Sequence, residues 1–199
     1  VKLVCVDKSN DFDLVNKQQL SNFLKKNKDI QYIVNASGKN DHVTRNKKEL
    51  FEDDKIVLEY IYQNVIAPKN LIEQSIKICK QIKSIINFAS LYGLKSPYHP
   101  IYKWNKSLSY CISKHAMEGL TKYYATLYAK KNIRINNIRV GGVFKNQPKY
   151  FINNFLKKTP IKKMVKKNDI VYLVDFLCSE KSKYIVGENI NLEGGYNLW

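Results

Sequence analysis

The segment IQYIVNASG (residues 30–38) joins a short apolar run to a cluster of small polar residues, and the same pattern recurs along the chain. Its β-branched residues favour a buried strand at 30–34. Comparable strands are predicted at 1–6, 84–90, 133–140 and 187–195. Helical periodicity separates them at 14–26, 54–83 (with a kink expected at Pro68), 108–130 and 169–179. This alternation predicts an α/β fold with a doubly wound parallel sheet covered on both faces.

Small and polar residues follow the predicted strands: Asp7, NASG (35–38), Ser90 and GGVFKN (141–146). The carboxyl ends of parallel strands meet at one edge of the sheet, where ligands bind in such folds. We therefore expect one ligand site at this edge, in a single domain covering residues 1–199.

The composition bounds the classes of protein to consider. Hydrophobic residues make up 44% of the 199 residues, but no apolar run approaches the ~18–20 residues that a membrane helix needs. The N-terminal stretch does not have the pattern of a signal peptide. Four widely spaced cysteines and three histidines provide no disulfide framework and no metal site. We expect a cytoplasmic protein without metal or membrane partner.

The net charge of +17 would suit nucleic acid as a partner. The basic residues, however, are scattered along the chain as Lys-Lys pairs, and no DNA- or RNA-binding motif is present. We interpret the charge as solvated surface, so a nucleic-acid partner is not expected.

Tyrosine precedes lysine by four residues twice, in Tyr102–Lys106 and in Tyr110–Lys114. On a helix, this spacing places both side chains on one face. A free phenol has a pKa near ~10, and a neighbouring ammonium group lowers it toward the range useful for acid–base catalysis. The spacing alone does not decide between the two pairs.

Six segments, in order, resemble the short-chain dehydrogenases/reductases: NASG (35–38), Asn64, NFASLYG (87–93), YCISK (110–114), NIRINNIRVGGV (132–143) and GENINLEGG (187–195). The nineteen-residue loop between Ser90 and Tyr110 looks like the branch associated with bacterial surface-sugar and flagellin modification. The resemblance implies a Rossmann-like fold and an NAD- or NADP-dependent oxidoreductase. It implies a small-molecule carbonyl or alcohol substrate, and a homo-oligomer (dimer or tetramer) formed through the two long helices and the last strand.

The resemblance also assigns roles to individual residues. It selects Tyr110 over Tyr102, because YCISKHAMEGLT (110–121) matches the family's catalytic helix. Tyr110 would be the acid/base, Lys114 would lower its pKa, Ser90 would orient the substrate and Asn64 would support a proton relay. The cofactor would be bound by Asp7, Asn35, Ala36, Gly38, Tyr110, Lys114, Gly141, Gly142 and Val143.

The chain departs from the family pattern at its start. No glycine precedes Gly38, so the glycine-rich turn that holds a pyrophosphate is not found, and the domain reads as N-terminally incomplete by about 60 residues. Two explanations are open: the sequence is a fragment of a longer enzyme, or it is a naturally shortened, inactive relative that serves as a scaffold or binding subunit. We expect the chain alone to bind dinucleotide poorly.

Overall fold

The structure is a computed structural model that describes residues 3–7, 9, 11–40 and 51–199. Its described part is built around a parallel sheet of four strands in the order β1-β2-β3-β4. The strands are β1 (Tyr32–Asn35), β2 (Ser84–Phe88), β3 (Arg134–Val140) and β4 (Asn189–Leu192). The α/β class with a parallel sheet is confirmed.

Helices alternate with the strands. They are α1 (Lys17–Lys26), α2 (Asp54–Ile61), α3 (Ala67–Ile78), α4 (Leu108–Tyr128), α5 (Lys149–Lys158) and α6 (Lys167–Cys178). Among them, none combines the length and the apolar composition that a bilayer crossing requires.

The two faces of the sheet bury different sets of side chains, because successive residues of a strand point to opposite sides. Ile85 packs in a cluster with residues of α1, α3 and α4, whereas its neighbour Ile86 packs against Leu177 of α6. Helices therefore cover both faces, as the continuous apolar strands predicted.

The segment predicted as one kinked helix at 54–83 forms α2 and α3, joined by a π-helical turn at Tyr62–Ile66. The irregular turn ends just before Pro68, which has no backbone N–H to donate to the carbonyl of Asn64 four residues earlier. The expected change of register is present, and it places Asn64 at the irregularity.

The strand predicted at 1–6 is wrong for the residues that the structure describes. Leu3 to Asp7 adopt no regular structure, and the Leu3 side chain is 89% exposed. A strand is stable only when its backbone groups join a ladder, and the described sheet does not extend to this segment. Apolar composition indicates that a segment can form a strand, but it does not show whether a partner strand lies beside it.

Two further differences concern the C-terminal half. Helix α5 was not predicted, and it follows Pro148, whose ring fixes a backbone angle suited to the start of a helix. Helix α6 begins at Lys167 rather than Asp169. The Asp169 carboxylate accepts the backbone N–H of Lys166 (2.8 Å), so Asp169 stabilises the start of the helix from within its first turn.

Candidate active site

The pair Tyr110 and Lys114 lies in the first turns of α4. The helix begins there because the Ser107 hydroxyl accepts the backbone N–H of Tyr110 (3.1 Å) as its N-cap. Both side chains are buried against the carboxyl end of β2. The Lys114 ammonium lies 5.7 Å from the centre of the Tyr110 ring, so the two groups share one face of the helix, as their spacing predicted.

Lys114 is held by the sheet. Its Nζ donates a hydrogen bond to the backbone carbonyl of Phe88 (2.7 Å), at the last residue of β2. Burial removes water from the ammonium and lowers the pKa of Lys114 to about 8. The lysine therefore remains largely charged at neutral pH, close to the point at which it can release a proton.

The pKa of Tyr110 is shifted upward, opposite to the expected direction. Burial disfavours the phenolate and raises the pKa to about 12, and a hydrogen bond with the Ser90 side chain offsets part of that rise. Sequence reasoning considered the charge of Lys114 but not the desolvation of both groups, which only the packed structure reveals. In this structure Tyr110 is a protonated phenol.

Ser90 follows β2 and has two contacts. Its hydroxyl accepts the backbone N–H of Tyr92 (3.2 Å), which caps the short turn Leu91–Gly93, and it lies near enough to the Tyr110 phenol to lower the pKa of Tyr110. The serine is therefore both a turn residue and a neighbour of the phenol. The structure brings Ser90, Tyr110 and Lys114 together.

Asn64 connects the helix irregularity to the loop after β1. Its side chain accepts the backbone N–H of Lys39 (2.6 Å) and donates to the Lys39 carbonyl (3.1 Å) and to the hydroxyl of Ser113 (2.9 Å). These contacts fix the loop against α4. A part for Asn64 in a proton relay through Lys114 stays a prediction.

Tyr110 and Lys114 line a cavity of about 180 Å³. The other lining residues are Ala36, Ser37, Gly38, Lys39, Asn40, Phe88 and Ala89. A Cβ at Gly38 would lie 3.0 Å from Asn64 Oδ1 and 3.7 Å from Lys114 Nζ, so a side chain at this position would crowd Asn64. The volume is below the ~300 Å³ typical of a whole-ligand pocket, and it fits one ring of a nucleotide cofactor beside the lysine.

The other predicted cofactor residues have different surroundings. Asn35 is buried at the end of β1, where it bonds with Asn87 and Ser37. Asp7 follows no strand, is exposed, and accepts the backbone N–H of Ser9 (2.9 Å), so the strand-end argument for its cofactor role is lost. Its binding role is without structural support here.

Gly141 and Gly142 follow β3, and their role was expected to be close approach of a cofactor. A Cβ at Gly141 would lie 2.9 Å from the Glu193 backbone, and one at Gly142 would lie 2.8 Å from the Phe155 ring. Internal packing is therefore one reason for glycine at both positions, and their cofactor role stays a prediction. Val143 next to them pairs with Val165 in an isolated bridge.

Lys106, from the pair that sequence reasoning set aside, also reaches the site. Its Nζ lies 4.0 Å from the Tyr110 ring centre and donates to Asn40 Oδ1 (2.6 Å). Tyr102 points elsewhere, with its hydroxyl 2.5 Å from that of Tyr92. Lys106 precedes α4, so helical periodicity could not have placed it beside Tyr110. Across the described ranges, no group of three or more metal-binding side chains is found.

Comparisons with known proteins identify the family of the chain. The model of the family described as enoyl-(acyl carrier protein) reductase matches residues 11–197. Post-translational flagellin modification protein A of Campylobacter coli is 30% identical over 118 residues, which are 58% of this chain and 46% of that protein. The 3-oxoacyl-[acyl-carrier-protein] reductase FabG of Rickettsia prowazekii is 26% identical over 189 residues, 92% of this chain and 74% of that protein.

Solved structures are similar over nearly the whole chain. A short chain dehydrogenase from Leptospira borgpetersenii serovar Hardjo-bovis with bound NAD+ has a TM-score of 0.84 and 30% identity, covering 98% of this chain and 80% of that one. A 4-hydroxyisoleucine dehydrogenase complexed with NADH has a TM-score of 0.78 and 27% identity, covering 94% and 80%. The chain belongs to the short-chain dehydrogenase/reductase family.

Proposed function

We propose that the protein is an NAD(P)-dependent oxidoreductase that interconverts a carbonyl and an alcohol. The observation that carries the proposal is the cavity lined by Tyr110, Lys114 and Gly38, with Ser90 next to the Tyr110 phenol. Similarity to structures that contain NAD+ or NADH supports the choice of cofactor. The cofactor, when bound, supplies the hydride.

The chemistry assigned to the chain is proton transfer and positioning. In the reductive direction, the protonated Tyr110 donates its proton to the carbonyl oxygen as the carbon receives hydride. Burial raises the pKa of Tyr110 to about 12, so the phenol is protonated at neutral pH but is a weak acid, and proton donation depends on stabilising the phenolate as it forms. Ser90 holds the same oxygen by a hydrogen bond. The Lys114 ammonium stabilises the phenolate that remains.

Gly38 and Lys114 are the residues that would hold the cofactor's nicotinamide end. Lys114 can donate hydrogen bonds to ribose hydroxyls, and the missing Cβ of Gly38 lets a ring approach the loop. Asn64 maintains this geometry through its bonds to Lys39 and Ser113.

For the substrate, we propose a sugar or a nucleotide-linked sugar. The support is the 30% identity to flagellin modification protein A and the loop between Ser90 and Tyr110. Because the chain is also similar to FabG, a 3-oxoacyl thioester is the alternative substrate against which the sugar is tested. We also propose a homo-oligomer, as discussed below, and a cytoplasmic location, supported by the wide spacing of the four cysteines in the sequence.

The proposal is tested by titrating NADH and NADPH into wild type, Lys114→Met and Lys122→Met, while following energy transfer from Trp104 and Trp199. Lys122 is an exposed lysine on the same helix and serves as the matched control. We expect Lys114→Met to weaken binding about tenfold or more relative to Lys122→Met, since the cavity loses a charged hydrogen-bond donor.

Turnover is then measured with a nucleotide-linked keto sugar and with a 3-oxoacyl thioester. Tyr110→Phe should abolish turnover of the accepted substrate while weakening nucleotide binding far less than Lys114→Met does, because the ring that lines the cavity is kept. Absence of saturable binding, both in this chain and in a version extended at its N-terminus, would refute the cofactor proposal. Preference for the thioester would refute the sugar proposal alone.

A further inference from the structure

Each of the four strands carries one asparagine at the same level of the sheet. Asn35 of β1 is in register with Asn87 of β2, Asn87 with Asn137 of β3, and Asn137 with Asn189 of β4. The first three are at most 5% exposed. A row of amides through the middle of a sheet would cost several kcal/mol if it were not hydrogen-bonded.

The row is bonded from end to end, and Thr121 of α4 forms part of it. Asn35 Nδ2 donates to Asn87 Oδ1 (3.1 Å), and Asn87 Nδ2 donates to Thr121 Oγ1 (3.3 Å). Thr121 Oγ1 donates to Asn137 Oδ1 (2.8 Å), and Asn137 Nδ2 donates to Asn189 Oδ1 (2.6 Å). We call these five residues the amide ladder.

The ladder continues into the cavity. The hydroxyl and the backbone N–H of Ser37, which lines the cavity, both donate to Asn35 Oδ1 (2.6 and 3.2 Å). Every bond from Ser37 to Asn189 therefore runs donor to acceptor in the same direction. Bonds arranged in this way polarise one another and strengthen the chain as a whole.

Thr121 has a particular place in the ladder because it belongs to the helix rather than to a strand. It lies two turns after Lys114 on α4 and is fully buried. Its hydroxyl is one donor and one acceptor, and it bridges β2 to β3, which are the two central strands. The position of α4 along the sheet is thus tied to the position of the Ser37–Gly38 loop.

We propose that Thr121 is a positioning residue: through the amide ladder, it sets the register of Tyr110 and Lys114 against the loop that lines the cavity. The effect of Thr121 on catalysis rests on the proposed function. The coupling of Thr121 to the cavity loop through the amide ladder does not, so the coupling and the effect on catalysis are tested by separate measurements.

The experiment compares Thr121→Val, which keeps the shape and removes the hydroxyl, with Thr121→Ser, which keeps the hydroxyl. Thr126→Val is the matched control, since Thr126 is an exposed threonine of the same helix whose hydroxyl bonds only locally to the Tyr123 carbonyl. Asn189→Ala, at the far and half-buried end of the ladder, is a milder variant in case Thr121→Val does not fold.

Backbone hydrogen exchange at Ser37 is the first measurement. We expect about tenfold faster exchange in Thr121→Val and a smaller increase in Asn189→Ala, with no change in Thr121→Ser or Thr126→Val. Unchanged exchange at Ser37 in both ladder variants would overturn the proposal whether or not the protein turns over a substrate.

Turnover is the second measurement. We expect kcat to fall about tenfold in Thr121→Val and to recover in Thr121→Ser, with the substrate KM changing less than twofold, because Thr121 is not among the residues that line the cavity. A threonine needed only for folding would lower the Tm and leave kcat of the folded protein unchanged, which would overturn the positioning role.

Discussion

At the scale of single residues, the site is governed by burial. Tyr110 and Lys114 are both removed from water, and each pKa moves toward the range in which the neutral form persists. Lys106 adds a second ammonium against the Tyr110 ring, where a cation is attracted to the π-electrons. Two ammonium groups, those of Lys106 and Lys114, therefore lie within 6 Å of the centre of the Tyr110 ring.

The buried lysine predicts a pH-dependent stability. Between its folded pKa of about 8 and its ordinary value of 10.5, Lys114 binds a proton in the unfolded chain and releases it in the folded one. Stability attributable to Lys114 therefore rises with pH in that window, by up to about 1.4 kcal/mol per pH unit. Below pH 8 the buried charge is a constant cost.

Urea unfolding of wild type and Lys114→Met at pH 7 to 10.5 measures the effect as a difference. The raised pKa of Tyr110 acts oppositely above pH 10, since its folded form keeps a proton that the unfolded form loses, and it largely cancels in the difference. The free energy of unfolding of Lys122→Met should depend on pH in the same way as that of wild type. If Lys114→Met also shows the pH dependence of wild type, the prediction is contradicted.

At the scale of elements, the connection from β3 to α5 depends on Gly142. Its carbonyl accepts the backbone N–H of Val165 (2.9 Å), and its missing Cβ leaves room for the Phe155 ring and Met164. Phe155 stacks on Tyr196 with ring centres 4.9 Å apart, within the apolar cluster that also contains Tyr110. The glycine therefore lets α5 close over the catalytic side of the sheet.

Replacing Gly142 by alanine should destabilise the protein by about 1–3 kcal/mol, because the new methyl group would overpack against Phe155. The free energy of unfolding in urea measures this loss. Lys145→Ala, at an exposed position of the same connection, should change stability by less than about 0.5 kcal/mol. Equal stability of the two variants would contradict the prediction, since it would mean that the Phe155 side chain moves aside with no loss of free energy.

At the scale of the whole molecule, α4 has an exposed apolar stripe opposite its buried face. Leu108, Ile112, Tyr123 and Leu127 are 59%, 42%, 63% and 51% exposed, and their spacing places them along one side of the helix. Leu58 on α2, a helix that packs against α4, is also 66% exposed. An apolar patch on two packed helices supports the proposed homo-oligomer.

We expect Tyr123→Glu combined with Leu127→Glu to dissociate the oligomer, because two carboxylates would be buried in the contact. Light scattering after size exclusion should then give the 23.2 kDa of one chain instead of a multiple of it. Leu3→Glu, at a residue 89% exposed outside the sheet, is the control and should leave the mass unchanged. A wild type that already has the mass of one chain would contradict the prediction.

The sequence by itself determined the fold class and four of the five predicted strands. These depend on local regularities, namely the period of apolar residues and the small polar residues that follow the strands, which a chain carries wherever it folds. The family motifs selected the Tyr110–Lys114 pair over Tyr102–Lys106 and added Ser90 and Asn64, which no local pattern would have joined to α4.

Only the tertiary structure decided the rest. It determined the upward pKa shift of Tyr110, the packing reason for Gly141 and Gly142, and the approach of Lys106. It also excluded residues 3–7 from the described sheet and aligned four asparagines that lie about fifty residues apart in the chain. Desolvation, strand pairing and register all depend on which distant residues become neighbours, and that information is not present in any single stretch of sequence.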